Sequence, residues 1–413
     1  MGVHFLVRNL QSSNARLPLK ITFNEDVKKS DFECEINIEK YREMGSGELK
    51  SIGIDGSVFI HAYIVSEKYE VEKNKYNNND YIIVKNKQDD ITYSVNIEAS
   101  VNRIITKVME YVMITTIFFR LFNDNNEQNE QNEQNENPKS VLLHFVMDGK
   151  PPVSKNRDVH RSKDIYSVMS NSQKKVLHSR IIDKLEKEVT LFNRVSEKYT
   201  LILLSNERCG YKTRGEGELA LYSLCSDINK KYNFDKSLRH VIVSPDSDVT
   251  AIMILNTDPT MVIISPPSGV LSQIYISSHK LICDGLNLSA SELIVYTILH
   301  FIFFGSDYNL GLVNNPCVSK QKIIYDSVKK NERNLNEIGK KFRRCVSKDS
   351  KNKLKKLKQN SLLSTLKDLL VTEGLCAIMY YKSLGNKSYL LDHSPLLYAD
   401  LGIKQYVSLL PFE

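Results

Sequence analysis

Residues 240–248 read HVIVSPDSD: a short run of strand-forming residues, a Ser-Pro break, then two aspartates one residue apart. The same order recurs at 52–55, where Ile-Gly-Ile leads into Asp55, and at 141–148, where an apolar run leads into Asp148. Residues 301–304 lead through Gly305 and Ser306 into Asp307. Apolar strands without polar alternation are covered on both faces and belong to parallel α/β sheets, whose ligands bind beyond the carboxyl ends of the strands. The expected fold class is α/β, with a mostly parallel central sheet flanked by helices and the acids gathered along one edge.

Two further acids, Glu216 and Glu218, stand in a Gly-Glu-Gly-Glu segment. Taken singly, an aspartate after a strand is also a helix cap or turn former, and a glutamate pair also opens a solvated helix. Taken together, ionised carboxylates in one cleft raise each other's pKa unless cations neutralise them. Oxygen-only ligands favour Mg²⁺, with Mn²⁺ able to substitute, over zinc. Two such ions about 4 Å apart suit a phosphoryl displacement, so the pattern predicts a metal-dependent nuclease.

The 413-residue chain is long enough for a substantial core, and its hydrophobic content of 41% is that of a globular protein. The formal charge of +7 includes the acids assigned to the site, so the remaining surface is more basic than the total and suits a polyanionic partner. Cys34, Cys209, Cys225, Cys283, Cys317, Cys345 and Cys376 are odd in number and contain no C-x-x-C pair, which points to a reducing compartment rather than to disulfides or zinc. The start, Met1-Gly2-Val3-His4, shows no charged-then-apolar leader, and no secretion is expected. The oily stretches 108–122 and 293–304 are expected as buried helices, not membrane spans.

Residues 123–137 form a polar NDNNEQNEQNEQNEN repeat that cannot bury enough surface to order itself. A second polar insertion is expected at about 66–95, in the form of a small hairpin. From 163 to 198 the pattern is helical and strongly charged, with Val176, Ile181, Ile182, Leu185, Val189 and Leu191 among lysines and arginines. Ser289-Ala290-Ser291-Glu292 is a capping box, so a helix should begin there. Beyond Asn314 the chain turns Lys-rich.

The ordered set MGVHFL at 1–6, GIDGS at 53–57, FVMDGKPPVSK at 145–155, GEGE at 215–218, SPDSD at 244–248 and FGSDY at 304–308 resembles the XPG/flap-endonuclease superfamily of 5′ nucleases. The resemblance covers residues 1 to about 310. It implies a PIN-like nuclease domain over 1–310, with insertions at 66–95 and 123–138, a helical arch over 155–198, and a basic helical region over 311–413. It further implies that Asp55, Asp148, Glu216 and Glu218 hold one Mg²⁺ and that Asp246, Asp248 and Asp307 place a second. Gly2 would belong to the site. Lys155 would contact the scissile phosphate with an arginine; an ungapped match lands on Ser162, a single deletion gives Arg161, and Lys163 is the alternative.

By this resemblance the partner is DNA with a 5′ flap or free 5′ end, with RNA as the alternative, and the chain acts in DNA replication or repair. The setting is a nucleus, that of a host if the Asn- and Lys-rich insertions reflect a viral genome. A monomer is expected, with no membrane partner, and the tail shows no sliding-clamp peptide. After Asp307 the family's glycine-rich duplex-binding turn is replaced by Leu310-Gly311-Leu312-Val313-Asn314, without paired glycines. MGV at the start, His61, and Arg239-His240 before SPDSD are also similar to Xrn-type 5′→3′ exoribonucleases. A nucleic-acid scaffold without catalysis is the third reading, opposed by the presence of all seven acids.

Overall fold

The computed structural model describes residues 17–23, 32–35, 46–69, 80–86, 90–124, 138–148, 165–205, 217–232, 238–256, 258–265, 274–306, 309–310, 313, 318–332 and 335–342. In chain order its elements are β1 (Leu17–Phe23), β2 (Phe32–Glu35), β3 (Ser46–Asp55), α1 (Gly56–Tyr63), β4 (Ser66–Lys68), β5 (Tyr81–Asn86), β6 (Ile91–Asn96), α2 (Ile97–Asp124) and β7 (Lys139–Val146). There follow α3 (Ile165–Val168), α4 (Asn171–Val195), β8 (Tyr199–Ser205), α5 (Gly217–Tyr232), β9 (Leu238–Val243), α6 (Ser247–Asn256), β10 (Met261–Ser265) and β11 (Ile274–Ser278). The last are α7 (His279–Leu286), α8 (Ala290–Phe304), β12 (Gly305–Ser306), β13 (Asn309–Leu310), α9 (Val318–Lys329) and α10 (Leu335–Lys341).

The central sheet runs β2-β1-β11-β10-β9-β3-β7-β8. Its inner strands, β10-β9-β3-β7-β8, pair in parallel, and β11, β1 and β2 add antiparallel strands at one edge. The sheet is mixed and mostly parallel, as the uninterrupted apolar strands lead one to expect. From β3 the chain steps outward to β7 and β8, then returns to the other side of β3 to lay down β9 and β10. The strand order therefore reverses between β3 and β9, the switch point at which open α/β sheets form their ligand crevice.

The sheet lies between two cores. Leu142, Val146, Ile242 and Ile263 face α5 to α10, whereas Ile52, Ile54, Val141, Leu143, Val241 and Val243 face α1 to α4. Burial on both faces is what a continuous apolar strand encodes. The helix over 97–124 contains the first oily stretch and α8 the second, with Leu293, Tyr296, Phe301 and Phe303 buried. Among the described residues no single helix is long and apolar enough to cross a membrane. The Ser289 capping box forms as read: Glu292 N–H donates to Ser289 Oγ at 3.3 Å and Ser289 N–H to Glu292 Oε2 at 2.7 Å.

Three observations bear on the expected organisation. The insertion at 66–95 is a three-stranded antiparallel sheet, β4-β6-β5, rather than a hairpin, because Ile82, Val84 and Val95 give it an apolar face that joins the core. The described part of the expected arch, α4, lies against α2 and β8 as the crossover helix between β7 and β8, since Leu177, Ile181, Ile182, Leu185 and Val189 form one buried stripe. The earlier arch residues, 155–164, are outside the described residues. Among the described residues beyond 310, Ile324, Val328, Ile338 and Phe342 belong to the same core as α8, with the Phe342 ring stacked on Phe303 at 4.9 Å.

Candidate metal centre

Asp55 closes β3 at the switch point, and its backbone becomes the N-cap of α1. One carboxylate oxygen, Oδ1, accepts the long N–H bond of Val58 at 3.4 Å; the other, Oδ2, accepts the Ser244 hydroxyl at 3.0 Å. The side chain is 2% exposed. A cap explains the first bond, but a cap has no need to be buried at the crossing of two strands.

Three more acids surround it. Asp148, two residues beyond β7, is held by its own N–H donating to Ser57 Oγ at 2.7 Å, while its Oδ1 accepts the Gly217 N–H at 2.9 Å. Glu218 is buried in the first turn of α5. Asp246 follows β9 and donates its N–H to Ser244 Oγ at 3.2 Å, so a single hydroxyl ties Asp246 to Asp55. Gly217 sits where these meet: a Cβ there would lie 3.4 Å from Asp148 Oδ1 and 3.7 Å from Asp55 Oδ1. Both carboxylates thus border one point, which a Cβ at 217 would meet at van der Waals distance.

The four acids lie close enough to act on one another electrostatically. Burial and then, in order, Glu218, Asp148 and Asp246 push the Asp55 pKa well above the usual carboxylate value; the Ser244 bond opposes them. A buried carboxylate with three acid neighbours and two hydrogen bonds wants a proton or a cation. The donor set is oxygen throughout, which fits hard divalent ions better than zinc. Among the described residues, however, no three His, Cys, Asp or Glu side chains are set closely enough to grip one ion. The described acids form a shared negative basin, not a preformed cage.

Of the acids expected from sequence, Asp55, Asp148, Glu218 and Asp246 are brought together. The backbone of Asp248 lies in the first turn of α6. Glu216, Asp307, Gly2, Lys155 and Arg161, with the alternative Lys163, lie outside the described residues. Sequence reasoning missed Ser57 and Ser244, although both sit inside the quoted GIDGS and SPDSD segments; what each hydroxyl does depends on strand pairing.

No protein-family model matches the chain, and no curated sequence does either. Among solved structures, the chain is similar to the catalytic core of Rad2 in complex with DNA substrate, at 14% identity and a TM-score of 0.37 over 99% of this chain and 96% of that one. It is similar to flap endonuclease-1 from Methanococcus jannaschii at 14% identity and a TM-score of 0.33, over 98% and 100%. A bacteriophage T5 flap endonuclease, in complex with DNA and metal ions, shows 8% identity and a TM-score of 0.36 over 87% and 99%. At these scores the likeness is distant, and the residues of the site carry the functional reading.

Proposed function

We propose that this chain is a divalent-metal-dependent 5′ nuclease that hydrolyses phosphodiester bonds in DNA bearing a 5′ flap or free 5′ end. The observation that carries the reading is the buried Asp55 carboxylate, ringed by Glu218, Asp148 and Asp246 at the point where the strand order reverses. In this reading Asp55, Asp148, Glu216 and Glu218 hold one Mg²⁺, and Asp246, Asp248 and Asp307 place the second. Bound there, the ions would supply an activated water and neutralise charge on the leaving oxygen.

The chain's own groups do the rest. Ser244 holds the Asp55 carboxylate, Ser57 holds the Asp148 backbone and the Gly217 N–H holds the Asp148 carboxylate, so that little reorganisation is needed when phosphate arrives. The N-terminus of α5, with its Gly217 N–H directed at Asp148, adds fixed positive character beside the acids. Lys155 and Arg161 are assigned to the scissile phosphate, where an ammonium and a planar guanidinium stabilise transition-state charge. Gly2 is assigned to the same centre on the motif order alone.

The test compares Mg²⁺-dependent cleavage of a labelled 5′-flap DNA with that of a single-stranded 5′-monophosphate RNA, using wild type and Asp148→Ala. Incision near the flap junction that vanishes in the variant supports the reading. Stepwise nucleotide release from RNA alone would replace it with the exoribonuclease reading, and metal binding without turnover of either substrate would replace it with a scaffold.

A further inference from the structure

On the sheet face covered by α5, strands β3 and β9 are joined by side chains at two levels. The upper joint is Ser244 to Asp55, at 3.0 Å. The lower one lies four residues earlier on each strand, where Ser51 and His240 are register partners and Ser51 Oγ stands 2.8 Å from His240 Nδ1. The other ring nitrogen, Nε2, is 2.8 Å from Asn229 Oδ1 on α5, roughly three turns beyond Glu218. Asn229 Nδ2 donates to Thr260 Oγ1 at 2.8 Å, and Thr260 Oγ1 donates to Asp258 Oδ1 at 2.6 Å.

The directions follow from the far end. A carboxylate only accepts, so the Thr260 hydroxyl proton goes to Asp258 and its oxygen must accept from Asn229. The Asn229 carbonyl is then left to accept, which places the imidazole proton on Nε2 and leaves Nδ1 to accept from Ser51. A neutral ring is what burial also favours, pushing the His240 pKa down to about 4. Ser51 and His240 are both fully buried, so this Ser-His-Asn succession is closed to substrate and is not a second reaction centre.

Its place in the fold gives it a different task. Apolar contact between α5 and the sheet, through Leu221, Leu224 and Ile228, resists separation but is non-directional and resists sliding poorly. The bare Gly53 lets Leu221 lie close on β3, where a Cβ would stand 2.8 Å from its Cδ2. Above, four acids repel one another across the joint between α5 and the strands. A directional bond in the interior is the element that fixes the helix along its axis.

We infer that His240 is a positioning residue for the metal centre: by binding Ser51 on β3 and Asn229 on α5 it sets where Gly217 and Glu218 meet Asp55 and Asp148. The inference rests on reading those acids as metal ligands. Metal sites tolerate displacements of only about 0.5 Å, so a helix free to slide is a helix that binds metal poorly.

The experiment measures the Mn²⁺ dissociation constant by calorimetry, and thermal melting in chelator, for wild type and four variants. Asn229→Ala and His240→Leu should weaken Mn²⁺ on the order of tenfold, while His240→Gln, which restores an N–H towards Asn229, recovers most of the affinity. Val241→Ala, which trims a core residue of the same strand on the opposite sheet face, should lower melting without moving the constant. Unchanged Mn²⁺ affinity in a folded Asn229→Ala, or equal weakening in Val241→Ala, overturns the inference. Failure of wild type to bind Mn²⁺ would instead bring down the functional reading beneath it. Should His240→Leu not fold, Asn229→Ala and Ser51→Ala read out the same joint.

Discussion

The carboxyl end of β3 and its middle are four residues apart and are built on opposite electrostatic terms. At Asp55 a buried acid is crowded by three others, and its pKa is driven up. At Ser51 a buried histidine is met by one donor and one acceptor, and its pKa is driven down to about 4 while every polar partner is matched. The same low dielectric makes the first group demand a counter-charge and the second lock in place. Buried polarity with closed hydrogen bonding marks architecture; buried charge without compensation marks the place where a ligand is to be bound.

Removing charge from the upper end is the most forceful way to break this contrast. Asp55→Asn should lower cleavage on the order of a thousandfold, because a misplaced ion forfeits several kcal/mol of transition-state stabilisation. In chelator the same variant should melt higher than wild type, since it relieves repulsion. Cleavage assays and melting curves check both, and a variant that loses stability along with activity would make Asp55 a structural cap.

A milder perturbation is the metal itself. The folded pKa of Asp55 is raised above its unfolded value, so in chelator its contribution to stability is lost as pH rises above about 3.8 and the unfolded chain ionises first. Mn²⁺ or Mg²⁺ should therefore raise the melting temperature more at pH 8 than at pH 5. An increment that is independent of pH and persists in Asp55→Asn would place the ion elsewhere.

The lower end titrates the other way. His240 and His178 are depressed to about 4 and His144 to about 3, chiefly by burial, against an ordinary value of 6.5. Their contribution is complete above pH 6.5 and is lost as pH falls towards 4, on the order of 3 kcal/mol for the fully buried His240. Urea unfolding at pH 7, 6 and 5 should show this slope, shallower in His240→Gln; an unaltered slope would remove His240 from the account. The smallest effect expected is at His144, whose Nε2 is buried without a hydrogen-bond partner. His144→Leu should stabilise by about 1 kcal/mol at pH 7 and by more at pH 5, again by urea unfolding.

Legibility in the sequence followed the range of the interaction. Residues 52–55, 141–147 and 240–243 announce buried strands because their apolar runs are local, and the Ser289-Glu292 box announces a helix start for the same reason. The acids Asp55, Asp148 and Asp246 could be collected because each follows such a landmark, and Glu218 because it stands in the Gly-Glu-Gly-Glu segment. The strongly charged 163–198 stretch was harder: the resemblance implied an arch there, and the buried stripe of Leu177, Ile181, Ile182, Leu185 and Val189 that packs α4 against α2 and β8 stands out less than the lysines around it. Val176 and Leu191, grouped with them by hydrophobicity, are 47% and 50% exposed, because they lie off that stripe. The Lys-rich run after 310 likewise hid Ile324, Val328, Ile338 and Phe342. Ser57, Ser244, Ser51 and Asn229 could not be assigned roles at all, since each acquires its partner only through strand register or helix docking.

The most direct test of the central claim, that acids from β3, β7, α5 and the β9–α6 turn form one metal centre, is anomalous diffraction from Mn²⁺-soaked crystals. The account predicts two peaks about 4 Å apart at the carboxyl end of β3, with Asp55 and Asp148 within direct bonding reach. A peak-free Asp55, or manganese bound only at a remote surface, would contradict it.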